Sequence, residues 1–218
     1  IAVNTLGVMY VLENGNTINS LEDLRGRTLY ATGQAATPQY ILDYLLEKNG
    51  LSGDVTVEYY QDHAELSALL ASGRVSVGML PEPNVTATLM SNADIRVALD
   101  ITELWREACQ TELVQGCIIV RKEFLEKHKR DVDRFLKDYA SSVEKVNANP
   151  AEASEIIARH GIMANGAAAE RAIPNCNIVC YTGDEMRDSA RGMLEVLFQM
   201  EPKSIGGAMP PSDFYYVP

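Results

Sequence analysis

The stretch RTLYATGQAATPQYILDYLLEKNG, from Arg27 to Gly50, is the first place where this chain could hold a charged or polar molecule. It reads as a strand, a turn of small residues, and a helix with Thr37 as N-cap and Pro38 as its first residue. The N–H groups at a helix start lack partners within the helix, and the helix dipole there favours negative charge. No Asp or Glu stands between Arg27 and Asp43, so this positive end has no acid of its own in the first turn. Gly33, Gln34, Ala35, Ala36 and Thr37 are the candidate contacts, because small side chains let an anionic or strongly polar group come close to the backbone. An ordinary strand-to-helix loop capped by Thr37 fits the same residues.

A second candidate lies in VSVGMLPEPNVTATLM, where an apolar strand runs into Pro81, Glu82, Pro83 and Asn84 before a helix. In open α/β sheets ligands bind beyond the carboxyl ends of strands, so this loop and the Gly33 loop share a crevice if their strands are parallel neighbours. Glu82 could bind a ligand amine or amidine, or it could cap the helix that begins near Val85. The third candidate is a pair of strand segments, Asn4 to Tyr10 and Leu113 to Val120. Small or polar residues stand in both: Asn4, Thr5 and Gly7 in one, Gln115, Gly116 and Cys117 in the other. Read as crossings between two lobes, their glycines would absorb a hinge motion; read plainly, they are two sheet strands with incidental glycines.

No catalytic set accompanies these residues. His63, His128 and His160 stand in charged helical contexts and read as surface residues. The sequence carries no GxSxG, HExxH, phosphate-binding or dinucleotide-binding signature. No enzymatic activity and no cofactor are expected. Cys109, Cys117, Cys176 and Cys180 match neither a zinc spacing nor a CxxC motif, and read as buried thiols or as a Cys109 to Cys117 disulfide. With 19 Lys and Arg against 30 Asp and Glu, the net charge of −11 repels nucleic acid and anionic lipid heads. No apolar run is long enough to span a membrane.

The elements that must position these residues alternate. Strands are expected at Ala2–Leu12, Thr28–Ala31, Val55–Tyr60, Val75–Leu80, Ile95–Leu99, Leu113–Val120 and Asn177–Tyr181, separated by amphipathic helices. That is the pattern of an α/β fold around a largely parallel sheet. Ser20 with Asp23, and Asp62 with Glu65, mark helix starts. Apolar stripes mark helices after Thr37, from Asp131 to Asn147 and from Glu185 to Met200, and Asn149 followed by Pro150 restarts a helix through Arg159. Helices predominate after Leu113, which sets a lobe boundary there. The tail IGGAMPPSDFYYVP reads as a surface strap whose aromatics tuck against a lobe.

The segments SLEDLRGRTLYATGQAATPQYILDYLLEKNGL, VGMLPEP and VQGCIIVRKEFLEKHKRDVDRFL closely resemble the substrate-binding proteins of ABC importers, in the branch of alkanesulfonate, nitrate and thiamine-precursor binders. The likeness covers nearly the whole chain. It implies a two-lobed type II periplasmic-binding-protein fold whose cleft closes on a small polar or anionic molecule. Residues 13–112 would form the second lobe, with 1–12 and 113–218 supplying the hinge strands and the remaining part of the first lobe. Gly33 to Pro38 and Glu82 to Asn84 would face the cleft, with Thr5, Leu6, Gln115 and Gly116 at the hinge side.

The implied partners are a small-molecule ligand and the membrane permease of an ABC importer, with no nucleic acid, for a monomer outside the cytoplasm, in the periplasm or lipid-anchored. Members of this family begin with strands and helices that precede the first crossing, so the N-terminal part of the first lobe is expected upstream of Ile1. The rival readings are an enzyme on the same fold, in thiamine-pyrimidine or menaquinone chemistry, and the sensing domain of a LysR-type regulator.

Overall fold

The computed structural model describes residues 1–217. Its strands and helices run β1 (Ala2–Leu6), β2 (Met9–Asn14), β3 (Thr28–Thr32), α1 (Thr37–Lys48), β4 (Thr56–Tyr60), α2 (His63–Ala71), β5 (Val77–Pro81), α3 (Asn84–Ser91), β6 (Ile95–Asp100) and α4 (Ile101–Cys109). They continue with β7 (Val114–Ile118), α5 (Lys122–Lys127), α6 (Lys129–Ala148), α7 (Pro150–Arg159), α8 (Gly166–Ala172), β8 (Ile178–Tyr181) and α9 (Gly183–Met200). Contacts group Val8–Gln110 as one unit, and Ile1–Gly7 with the chain from Thr111 onward as the other.

The Val8–Gln110 unit is built on a five-stranded sheet in the order β4-β3-β5-β2-β6. Strand β3 runs parallel to β4 and β5, while β2 runs antiparallel to β5 and β6. The sheet is therefore mixed, where the sequence pattern suggested a largely parallel one. The cause lies at Gly7 and Val8: the strand read as Ala2–Leu12 breaks there, β1 pairs in the other unit, and β2 enters this sheet from the opposite direction. The unit accordingly starts before residue 13, since β2 pairs throughout with β5 and β6.

Helix starts follow local chemistry. Asp62 accepts hydrogen bonds from the Ala64 and Glu65 N–H groups at the head of α2, and Asp100 does the same for Thr102 and Glu103 at α4. The reciprocal box of Ser20 and Asp23 opens a single 3₁₀ turn, Leu21–Leu24. Helix α1 buries Ile41, Leu42, Leu45 and Leu46, and α4 buries Trp105, whose ring meets that of Tyr44 at 5.4 Å between centroids. Glu13, although buried, is saturated with donors: both its oxygens take the Thr17 N–H, one takes the Thr17 hydroxyl, and the other takes the Ile18 N–H and Arg96.

The other unit carries an antiparallel sheet in the order β7-β1-β8. Val3 and Leu6 pack with Met186 of α9 and Tyr215 of the tail, while Ala2 packs with Val132 and Leu136 of α6. The tail is tied at three points: Tyr215 is buried, the Tyr216 hydroxyl donates to Asp133 and accepts from Lys129, and Asp213 pairs with Lys122. Helix α8 was not evident in the sequence, because an Ala-rich turn shows no apolar stripe; Asn165 caps it through the Ala168 N–H.

Among the described residues no disulfide joins Cys109, Cys117, Cys176 or Cys180. Cys117 is exposed and the other three are half-buried, so neither the buried-thiol reading nor the Cys109 to Cys117 disulfide describes them.

Candidate functional site

At the end of β3 the backbone takes two left-handed steps, Gly33 at φ +86° and Ala35 at φ +57°. Gly33 is also required by space, since a Cβ there would sit 2.8 Å from Pro38 Cγ. The turn closes through the Ala36 N–H to the Gly33 carbonyl at 3.3 Å, and the Gln39 side chain accepts the Ala35 N–H at 2.8 Å.

Ala36, not Thr37, occupies the N-cap of α1, with Thr37 the first helical residue and Pro38 the second. Ala36 offers no side-chain oxygen, so the cap is made by backbone alone: its carbonyl accepts the Gln39 and Tyr40 N–H groups at 3.0 and 3.4 Å. The first turn holds no acid. Among the described residues neither the Thr37 N–H nor its hydroxyl has a hydrogen-bond partner. Gln34, Ala35 and Ala36 are exposed. The result is a positive helix end with an unoccupied N–H and an adjacent hydroxyl.

The Pro81–Asn84 segment leaves β5, which runs parallel to β3 and beside it, so this segment and the Gly33 turn lie at the same edge of the sheet. The two loops therefore meet the condition for sharing a crevice. Glu82, however, is buried and turned into its own helix: its carboxylate accepts the Thr86 N–H at 3.1 Å and the Thr86 hydroxyl at 2.9 Å. That makes Glu82 a cap of α3 and withdraws it as a ligand for an amine or amidine. Asn84 is the first residue of α3 and is half-buried.

His63, exposed as the sequence reading expects, also stands at this sheet edge. His63 begins α2 beside the end of β4, and its Nδ1 lies 2.7 Å from the Thr32 hydroxyl, next to Gly33. The signal was available in the Asp62 cap, which fixes His63 at the first helical position. Tyr59 of β4 is enclosed at its hydroxyl without a partner among the described residues; burial first, then Asp43, pushes its pKa up to about 12.

In the β7-β1-β8 unit, Thr5 lies opposite Gly116. Leu6 is 3% exposed and faces the core with Val3, Met186 and Tyr215, so its side chain is not a ligand contact. The Gln115 Oε1 atom is enclosed and has no hydrogen-bond partner among the described residues. A separate open depression of about 820 Å³, lined by residues including Asn149, Glu152, Glu170 and Arg171, includes none of the sequence-derived candidates.

Among the described residues no group of three or more His, Cys, Asp or Glu side chains could hold a metal ion, and no helix is long and apolar enough to cross a membrane. Burial raises the thiol pKa of Cys109 and Cys180, which disfavours the nucleophilic thiolate.

The sequence model of the family described as NMT1/THI5 like matches residues 1–153. A search of curated proteins finds no match. Among solved structures, the chain is similar to an ABC transporter protein from Parabacteroides distasonis, with 24% identity and a TM-score of 0.76, covering 100% of this chain and 72% of that one. The periplasmic aliphatic sulphonate binding protein SsuA of Escherichia coli aligns at 16% identity and a TM-score of 0.71, over 99% of this chain and 69% of its own. The alkanesulfonate-binding protein SsuA of Xanthomonas axonopodis pv. citri, bound to MOPS, aligns at 16% identity and a TM-score of 0.60, over 96% and 70%. These likenesses establish a type II periplasmic-binding-protein fold.

Proposed function

This chain belongs to the NMT1/THI5-like family, and from that premise we propose that it is an extracytoplasmic solute-binding protein that captures a small polar or anionic molecule for an ABC importer. The observation that carries the reading is the start of α1. A helix N-terminus free of acid, built on small exposed residues, stands at the carboxyl edge of parallel strands in a protein whose net charge of −11 otherwise repels anions. Gly33, Gln34, Ala35, Ala36, Thr37 and Asn84 are the contacts proposed on the Val8–Gln110 unit; taken by itself, the β7-β1-β8 unit offers Thr5, Gln115 and Gly116 as candidate polar contacts. In this reading the ligand leaves chemically unchanged, and burial keeps the thiols of Cys109 and Cys180 from acting as nucleophiles. The permease of the importer is the macromolecular partner, and the protein acts as a monomer.

A thermal-shift panel of sulfonates, carboxylates, phosphate and nitrate tests this reading. An anion that raises the melting temperature in a concentration-dependent way, and is recovered intact by mass spectrometry, is the expected result. Turnover of the bound solute into a product overturns it, as does the absence of any stabilising anion.

A further inference from the structure

Strand β1 pairs with β7 in a register that slips twice. Leu6 lies opposite Val114 and Thr5 opposite Gly116, which leaves Gln115 as an extra residue on β7. Thr5 opposite Gly116 and Val3 opposite Cys117 leave Asn4 as an extra residue on β1. The two bulges offset each other, so the strands recover their register while two side chains are taken out of the regular alternation. Both are carboxamides, and they flank the same Thr5–Gly116 pair.

The residue between them is shaped to fit. A Cβ on Gly116 would fall 2.6 Å from Asn4 Oδ1 and 3.2 Å from Thr5 Oγ1, so only glycine lets the Asn4 amide lie over β7. Asn4 receives one long hydrogen bond, from the Thr5 hydroxyl at 3.5 Å, and among the described residues its Nδ2 donor is uncommitted. Gln115 Oε1 is the complement, an enclosed acceptor with no donor. Such an atom destabilises the sheet that contains it, and native structures keep few of them. Gln115 as a residue is only half-buried, and the last torsion of a glutamine is soft, so the amide can turn outward without moving the strand.

We propose that Asn4 and Gln115 form a polar subsite for a ligand group that brings an N–H or O–H donor to Gln115 and an acceptor to Asn4, as a primary amide, a urea-like edge or a hydroxyl does. This rests on the solute-binding reading and narrows it: a solute without a donor leaves Gln115 unsatisfied, and a donor-bearing one does not.

The experiment is a ¹H–¹⁵N NMR titration of the full chain, following the side-chain NH₂ signals of Asn4 and Gln115, which Asn4→Leu and Gln115→Met identify by their loss. The probes are acetamide, which has a donor and an acceptor, and N,N-dimethylacetamide, which has the acceptor alone. Acetamide shifts both signal pairs saturably, and dimethylacetamide does so about tenfold more weakly, by the worth of one hydrogen bond. Gln115→Met abolishes the acetamide response at Asn4 without lowering the melting temperature of the free protein. Equal responses to the two probes, no response to either, or a fall in melting temperature in Gln115→Met overturns the subsite. If Asn4→Leu fails to fold, triple-resonance assignment of the unaltered chain identifies its signals instead and the titration proceeds. An anion that binds in the thermal-shift panel while acetamide leaves the Asn4 and Gln115 signals unmoved overturns this inference alone. A clean acetamide response with no stabilising anion overturns the anion reading instead.

Discussion

Replacing Ala36 by Asp should move stability and ligand affinity in opposite directions. Ala36 has the extended backbone of an N-cap residue, φ −133° and ψ 177°, and it makes no side-chain cap bond. An Asp at that position brings a carboxylate within reach of the Gln39 N–H, which now settles for the Ala36 carbonyl at 3.0 Å. Exchanging Ala for Asp at an N-cap contributes about 1 kcal/mol. In a chain of this size that raises the melting temperature by roughly 2–4 °C.

The same carboxylate sits where the ligand's anionic group is proposed to bind, with a repulsion of about 1 kcal/mol or roughly a fivefold loss of affinity. Ala36→Asn is the control, because it caps as well as Asp and carries no charge. Calorimetry of the free proteins gives the first quantity, and titration with whichever anion stabilises the unaltered chain gives the second. A fall in stability for both variants refutes the cap geometry. Full affinity in Ala36→Asp, or an equal loss in the Asp and Asn variants, refutes the placement of the ligand at this helix end.

Other consequences follow from single residues. Burial alone would raise the Glu13 pKa, but hydrogen bonds from Thr17, Ile18 and Arg96 outweigh it and hold the carboxyl below its ordinary value. Its contribution to stability is therefore present above the ordinary carboxylate range and disappears as pH falls through the lower folded value. Denaturant titrations over that range should show the loss in the natural chain and not in Glu13→Gln, which at neutral pH is less stable by about 1–3 kcal/mol. Tyr215→Phe should match or exceed the natural stability, since the buried hydroxyl has no partner among the described residues, whereas Tyr215→Ala opens a cavity costing about 3–5 kcal/mol. Gly33→Val should lower the melting temperature, because valine at φ +86° is strained and its Cβ meets Pro38. A thiol reagent should modify exposed Cys117 before Cys109 and Cys180, whose burial holds them protonated; the order read by peptide mass spectrometry decides this.

The sequence alone determined whatever is settled within about four residues of itself. The Asp62 cap, the Ser20–Asp23 box and the apolar stripe of α1 are exchanges between near neighbours, and the α/β alternation is their sum. The acid-free start of α1 was legible for the same reason, although its N-cap was misplaced by one residue, because the turn at Gly33 and Ala35 sets where helical dihedrals begin.

Tertiary structure decided the rest. Whether Ala2–Leu12 was one strand or two depended on partners as far along the chain as Val114–Ile118 and Ile95–Asp100, and no local propensity encodes that choice. Glu82 could face a ligand or its own helix until the Thr86 hydroxyl and N–H came within reach. Leu6 turned into the core because Met186 and Tyr215 arrive to cover it. Gln115 and Asn4 became an unusual pair only through two opposed bulges, since a register is a property of two strands together and neither carries it alone.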